Sequence, residues 1–188
     1  MMVLGIDEVG RGSLAGPLVI GAVALNVEIN GLKDSKLLSR KQRLVLAEQI
    51  YKHAKYIGLG WVSAQEIDRI GLTRSLALGA KRAFNGLNIG VDKIILDGSH
   101  NYAEGIINCQ TLVKADNIIP AVSAASIIAK VARDDYMIEL AKQFPMYMFE
   151  SHVGYGTLQH RKAIITHGAT IQHRKSFEPI KSMSQAFE

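Results

Sequence analysis

Apolar positions along the chain fall into short runs rich in Val, Ile and Ala and into longer stretches with helical spacing. The short runs predict strands over residues 2–6, 18–27, 55–62, 93–97 and 106–113, the first two forming a hairpin-like pair. The longer stretches predict helices over residues 39–53, from 64 onward, 72–84, 120–143 and 157–166. Residues 144–156 and the tail from residue 176 are expected to be irregular. Alternation of strands and helices predicts an α/β fold.

Two of the predicted helices have clear start signals. Ser63 and Glu66 have the spacing of a capping box. Pro120 suits the first turn of a helix, and the small residues that follow it allow close packing against a sheet. We therefore expect the helix over residues 120–143 to be central and buried.

The length and composition predict one intracellular domain. The chain has 188 residues, of which 48% are hydrophobic, enough for a single core. The apolar run over residues 14–27 is interrupted by Gly and Pro, so no membrane segment is expected. No secretory signal opens the chain and Cys109 is its one cysteine, which favours a cytoplasmic location and a small core residue at position 109.

Positive charge is concentrated in two regions of the chain. The formal net charge is +5, and Lys and Arg cluster over residues 33–43 and 161–181. A basic surface of this kind favours a polyanionic partner. Solvated helix faces would give the same pattern, so charge alone leaves both interpretations open.

Four acidic residues stand at the ends of predicted elements. Asp7 and Glu8 end the first strand, Asp97 ends a later strand, and Asp116 precedes the small-residue helix. Strand ends are where ligands gather in open sheets, so these carboxylates are predicted to converge. Their mutual repulsion would be relieved by Mg²⁺ or Mn²⁺, as in a two-metal phosphodiesterase site. For each residue taken alone, a solvated turn or a helix cap remains the alternative.

A glycine-rich loop follows the first strand. Gly10, Gly12 and Ala15 match the dinucleotide-binding fingerprint, but that motif must open a helix, and here a predicted strand follows. The glycines can instead let the backbone approach a nucleotide closely while Arg11 meets a phosphate. A plain tight turn is the other interpretation.

These motifs together resemble the ribonuclease HII family. The resemblance covers nearly the whole chain and is carried by Gly5-Ile6-Asp7-Glu8-Val9-Gly10-Arg11-Gly12, Asp34-Ser35-Lys36, Leu96-Asp97-Gly98, Lys114-Ala115-Asp116, the run from Ser123 to Asp134, Gly154-Tyr155-Gly156-Thr157 with His160, and His173-Arg174-Lys175-Ser176-Phe177. Arg11 stands where the related ribonuclease HIII type would be expected to carry Lys.

The resemblance implies a fold and a set of site residues. It implies one ribonuclease H-like domain over residues 1–188, with a mixed five-stranded sheet, flanking helices and a helical substrate-binding part over 145–188. Asp7, Glu8, Asp97 and Asp116 would be the catalytic, metal-binding carboxylates. Gly10, Arg11 and Gly12 would sense a ribonucleotide 2′-OH, and Tyr155 would stack on the neighbouring deoxyribose. Ser35, Lys36 and Ser123 are candidates for phosphate contacts.

The implied activity is cleavage of RNA paired with DNA. The enzyme would hydrolyse the RNA strand of RNA–DNA hybrids and cut 5′ of ribonucleotides embedded in duplex DNA, leaving a 5′-phosphate and a 3′-hydroxyl. It would use two Mg²⁺ or Mn²⁺ ions, act as a monomer, and serve ribonucleotide removal and primer processing. The alternative is a non-catalytic nucleic-acid-binding module, which the basic clusters alone would permit. The six histidines are interpreted as surface or structural residues.

Overall fold

The computed structural model describes residues 2–33, 35–103, 105 and 109–185. Within these residues, one mixed sheet contains β1 (Val3–Val9), β2 (Leu18–Leu25), β3 (Ala54–Val62), β4 (Lys93–Asp97) and β5 (Cys109–Leu112). The strand order is β3-β2-β1-β4-β5, with β1 antiparallel to β2 and parallel to β4. The predicted mixed five-stranded sheet and its first hairpin are confirmed. Residues 106–108 of the predicted last strand lie outside the described residues.

Helices cover both faces of this sheet. They are α1 (Arg40–His53), α2 (Ala64–Ile70), α3 (Leu72–Ala83), α4 (Pro120–Gln143), α5 (Phe149–His152), α6 (Leu158–His167) and α7 (Ile180–Gln185). The predicted capping box is confirmed, since the Ser63 hydroxyl accepts from the Glu66 N–H and the Glu66 carboxylate accepts from the Ser63 N–H. None of the described helices is long and apolar enough to cross a bilayer.

Helix α4 packs directly on the centre of the sheet, as its small residues predict. A Cβ atom added to Gly5 of β1 would overlap the backbone of Ala121, and one added to Gly21 of β2 would overlap Ala125. The opposite face of the sheet is covered by α3, whose Gly79 lies against Gly60 of β3 in the same way. These close approaches fix α4 next to the end of β1.

The structure corrects two predictions in the C-terminal part. Residues 144–156 are not irregular throughout, because they contain a 3₁₀ turn (Pro145–Tyr147) and α5. The tail is not irregular either, because α7 begins at Ile180. Neither element has a helical pattern of apolar residues. Each is stabilised by burial of one large side chain, Phe149 or Ile180, in a single cluster beside α4 and α6. Cys109 is half-buried against the main core.

The glycine loop connects two strands, as the sequence predicts. It lies between β1 and β2, which form an antiparallel pair. No helix follows it whose N-terminus would meet a pyrophosphate, so the dinucleotide interpretation does not fit this loop.

Candidate active site

Parallel pairing of β1 and β4 brings two of the predicted carboxylates together. Ile6 pairs with Leu96, so Asp7 and Asp97 follow side by side at the carboxyl end of β4, where Asp7 is still paired with Gly21 of β2. The Asp97 Oδ1 atom accepts a hydrogen bond of 2.7 Å from the Ala115 N–H, which joins β4 to the 3₁₀ turn Ala115–Asn117. This edge of the sheet is where ligands bind in open α/β folds.

Asp7 is a buried carboxylate among other acids. Its side chain lies close to the Ser126 hydroxyl of α4, which favours the ionised form, and its Oδ1 accepts from the Glu8 N–H at 2.8 Å. Burial, followed by the negative charge of Glu8 and, more weakly, that of Asp97, raises the pKa of Asp7 to about 8. Among the residues that the structure describes, no lysine or arginine lies within ion-pair distance of Asp7 or Asp97. Oxygen ligands with this uncompensated charge fit a divalent cation.

Glu8 lies at the same strand end but makes different contacts. Its Oε2 atom accepts a hydrogen bond of 2.9 Å from the Tyr102 hydroxyl, and its Oε1 lies 3.3 Å from Nη1 of Arg11. Burial of Tyr102, together with the charge of Glu8, raises the pKa of that phenol well above its usual value, so it remains a donor. One cation of the glycine loop is thus already directed at the acidic group.

Asp116 is buried in the 3₁₀ turn that Asp97 anchors. Its Oδ1 atom accepts a hydrogen bond of 3.1 Å from the Asn117 amide. Across the described ranges, no three His, Cys, Asp or Glu side chains stand close enough to form a ready ligand set. The structure therefore brings the acids to one edge without closing them around a common point, an arrangement that mutual repulsion favours.

A cleft of about 490 Å³ opens above Asp7. It is lined by Asp7, Glu8, Val9, Gly10, Arg11, Gly12, Ser35, Lys36, Ser126, Lys130 and Tyr155. The glycine loop, the Ser35–Lys36 pair and Tyr155, all predicted as substrate contacts, thus share one cavity with two of the four acids. Its walls are basic and its floor is acidic, as a site for a phosphodiester and cations requires.

The structure does not bring Ser123 into this cleft. Its hydroxyl donates to the Asp116 carbonyl at 2.6 Å, and the side chain is buried beneath the 3₁₀ turn. Ser126, one helical turn further along α4, lies in the cleft instead, with its hydroxyl 2.9 Å from that of Ser35. The sequence pattern indicated a serine hydroxyl on the correct helix but did not distinguish Ser123 from Ser126.

Sequence reasoning also missed Lys130 and Tyr102. Lys130 contacts Asp134 at 2.8 Å, and its ammonium also lines the cleft, 5.9 Å from the Tyr155 ring centre. The four-residue spacing of Ser126 and Lys130 places both on one face of α4 and was the available signal. Nothing in the local sequence around Tyr102 indicates its bond to Glu8.

Comparison with known proteins decides the family. The family model described as ribonuclease HII matches residues 4–180. The chain belongs to the ribonuclease HII family. A curated ribonuclease HII from Coxiella burnetii (strain Dugway 5J108-111) is 44% identical over 185 residues, covering 97% of this chain and 91% of the relative.

Solved structures agree with this assignment. The crystal structure of ribonuclease H2 from Pyrococcus horikoshii OT3 superimposes with a TM-score of 0.82 at 28% identity, covering 100% of this chain and 99% of that one. Bst-RNase HIII in complex with Mn²⁺ has a TM-score of 0.73 at 20% identity, covering 99% of this chain and 70% of that one, and shows the same fold. The chain is therefore a ribonuclease H-type endonuclease with the ribonuclease H-like fold.

Proposed function

We propose that this ribonuclease hydrolyses the RNA strand of RNA–DNA hybrids and also cuts 5′ of ribonucleotides embedded in duplex DNA. The products would carry a 5′-phosphate and a 3′-hydroxyl. The observation that carries the proposal is the shared cleft, in which Asp7 and Glu8 lie below both Gly10–Gly12 and Tyr155. The cleft can therefore hydrolyse a phosphodiester and contact the 2′-OH of the same nucleotide.

The acidic groups would hold divalent cations. Asp7, Glu8, Asp97 and Asp116 are oxygen donors at one sheet edge, and the unpaired, buried state of Asp7 supports their use as ligands of Mg²⁺ or Mn²⁺. Two such ions supply an activated water and stabilisation of the leaving 3′ oxygen. Within the described residues, the protein keeps Asp7 and Asp97 out of ion pairs, whereas Glu8 already contacts Arg11.

The remaining cleft residues would position the substrate. The backbone of Gly10–Gly12 can approach a 2′-OH closely, since Gly12 has open space where a side chain would project. Tyr155 offers a ring face for the next sugar, beside the ammonium of Lys130. Lys36, Lys130 and Arg11 would meet phosphates, which fixes register without reading base sequence. Ser123 would act indirectly, by holding the carbonyl of Asp116.

A cleavage assay tests the proposal. The protein is incubated with Mg²⁺ or Mn²⁺ and with duplexes that contain no ribonucleotide, one ribonucleotide, or an all-RNA strand, and the cut is mapped by end labelling. We expect cleavage of both ribonucleotide-containing duplexes, on the 5′ side of the single ribonucleotide. Intact single-ribonucleotide duplex after prolonged incubation with either metal would contradict the proposal.

A second assay separates the enzyme from a non-catalytic binding module. The Asp116→Asn variant should retain hybrid binding in Ca²⁺ while losing cleavage by at least about a hundredfold. Asp135→Asn is the matched control, because Asp135 lies on the exposed part of α4 and pairs with Arg40. Unchanged turnover in the Asp116→Asn variant would favour the binding module.

A further inference from the structure

The glycine loop and the turn that carries Tyr155 are joined by backbone hydrogen bonds. The N–H groups of Leu14 and Ala15 both donate to the Gly154 carbonyl, at 2.8 and 3.2 Å. Gly154 has a φ of +84°, and a Cβ atom there would overlap the Ala15 carbonyl, so only glycine fits this contact. The two recognition elements are thus in direct contact, although about 140 residues separate them in the sequence.

Residues 172–174 lie beneath both elements. The Gln172 carbonyl accepts from the Gly16 N–H at 2.8 Å, and the Arg174 N–H donates to the Leu14 carbonyl at 2.8 Å. The fully buried guanidinium of Arg174 donates to the carbonyls of Gly16 and Arg11, at 3.0 Å each. Arg174 therefore holds the backbone of the loop at the residue between its two glycines.

The neighbouring residue, His173, reaches Tyr155 through a second histidine. The Thr170 N–H donates to Nδ1 of His173 at 3.0 Å, so that nitrogen carries no proton and Nε2 does. Nε2 of His173 donates to Nε2 of His160 at 3.2 Å, which leaves the proton of His160 on Nδ1. That nitrogen donates to the Tyr155 carbonyl at 3.0 Å. The contacts thus fix both tautomers and one direction of donation.

The surroundings favour two uncharged rings. His160 and His173 are buried, and His160 stacks on His152 with ring centres 4.4 Å apart. Burial, with the neighbouring histidines, lowers the pKa of His160 and of His173 to about 4. His152 carries its proton on Nε2, unlike His160. Its Nδ1 accepts from the Gly154 N–H and its Nε2 donates to the Tyr147 carbonyl at 2.9 Å. His152 and His160 thus hold the backbone of Gly154 and Tyr155, and His173 holds the ring of His160.

We propose that His160 and Arg174 are positioning residues that fix the distance between the Gly10–Gly12 backbone and Tyr155, and that His173 sets the tautomer in which His160 donates to Tyr155. Because one element would inspect the ribose and the other the following deoxyribose, this distance sets the preference for a ribonucleotide followed by DNA. The inference rests on the proposed function. None of the three residues lines the cleft, so His160 and Arg174 act through the backbone that they hold and His173 acts through His160.

Two variants of one residue separate positioning from a general structural role. In His160→Asn the side-chain amide takes the place of Nδ1 and can still donate to the Tyr155 carbonyl. In His160→Gln the amide reaches the place of Nε2 and can contact His173, but the Tyr155 carbonyl loses its donor. Both replace a buried ring by a smaller amide, so a merely structural role would affect the two variants alike.

The measurement is the ratio of kcat/KM for a single ribonucleotide in DNA to kcat/KM for an all-RNA strand paired with DNA. Duplex binding in EDTA gives a second readout, as the ratio of Kd values for single-ribonucleotide and all-DNA duplexes. We expect His160→Asn to retain both wild-type ratios and His160→Gln to lower them about tenfold, the equivalent of one lost hydrogen bond. Equal ratios in the two variants would overturn the inference while leaving the proposed function intact. Failure of the wild type to cut the single-ribonucleotide duplex would overturn both.

If His160→Gln does not fold, the inference can be tested on the wild type. Nitrogen chemical shifts of histidine-labelled protein at pH 7 report the tautomer of each ring. We expect protonation of His160 at Nδ1 and of His173 at Nε2. The opposite tautomer of either ring, or a cationic ring at this pH, would overturn the inference.

Discussion

Replacement of Asp7 by Asn should stabilise the metal-free protein while it abolishes cleavage. Asp7 is 7% exposed and stands beside Glu8 and Asp97 without a basic partner among the described residues. A pKa raised from 3.8 to about 8 means that ionised Asp7 costs the folded state up to about 6 kcal/mol. Asn keeps the shape and an acceptor for the Glu8 N–H but carries no charge. Allowing for relaxation of the acids, we expect a gain of about 2–4 kcal/mol at pH 8.

The gain should depend on pH in a defined direction. Because the folded state raises this pKa, the stability contributed by protonated Asp7 is fully present below about pH 4 and is lost as the pH rises to about 8. The variant lacks this titration, so its advantage over the wild type should grow between pH 5 and pH 8. The pH dependence of groups that do not interact with Asp7 is common to both proteins and cancels in the difference.

Urea denaturation in EDTA at pH 5 and pH 8 measures this advantage. Glu48→Gln on the exposed side of α1 is the control for removal of an acid, and it should change the unfolding free energy by less than about 0.5 kcal/mol. Addition of Mg²⁺ should then stabilise the wild type and leave Asp7→Asn nearly unchanged. An Asp7→Asn protein no more stable than the wild type at pH 8, or with an advantage independent of pH, would refute the reasoning.

Two further predictions concern packing and the buried histidines. Gly21→Val should destabilise the fold by about 3 kcal/mol or more in urea titrations, because its side chain would overlap the Ala125 carbonyl of α4; near-normal stability would contradict this. The lowered pKa values of His160 and His173 mean that their contribution to stability is complete above about pH 6.5 and is lost as the pH falls towards 4. The unfolding free energies of wild type and His160→Asn should therefore converge by up to about 3 kcal/mol between pH 7 and pH 4.5, and a constant gap would count against neutral rings.

The central sheet and α4 were predictable because their patterns are local and strong. An apolar run ending at Asp7, a second at Asp97 and a stretch of small residues after Pro120 each specify one element. The pairing of β1 with β4 is not contained in the sequence of either strand, and only the structure shows it. Once that pairing is known, the meeting of Asp7 and Asp97 follows from strand direction alone.

Helices α5 and α7 were missed because tertiary contacts, rather than a local periodic pattern, define them. Helix α5 has only four residues, too few to form without burial of Phe149 and His152. The same limit applies to Ser123 and Ser126, since both lie on α4 and only the position of the Asp116 turn decides which hydroxyl reaches the cleft. Roles that depend on a partner distant in sequence are invisible to a local pattern.

The fold uses its buried cations in a way that leaves the acids available. Arg133 and Arg174 are both fully buried, and their donors go to carbonyl oxygens and a serine hydroxyl around the glycine loop. A guanidinium placed beside Asp7 would have formed an internal ion pair, and the site would then have had no net charge with which to bind a divalent cation. Instead the positive charge lies beneath the loop that would face phosphate, and burial together with Arg133 lowers the pKa of Arg174 to about 9. Separation of the buried arginines from the acids thus leaves the floor of the cleft able to attract cations, while Arg11, Lys36 and Lys130 provide the basic wall that faces the nucleic acid backbone.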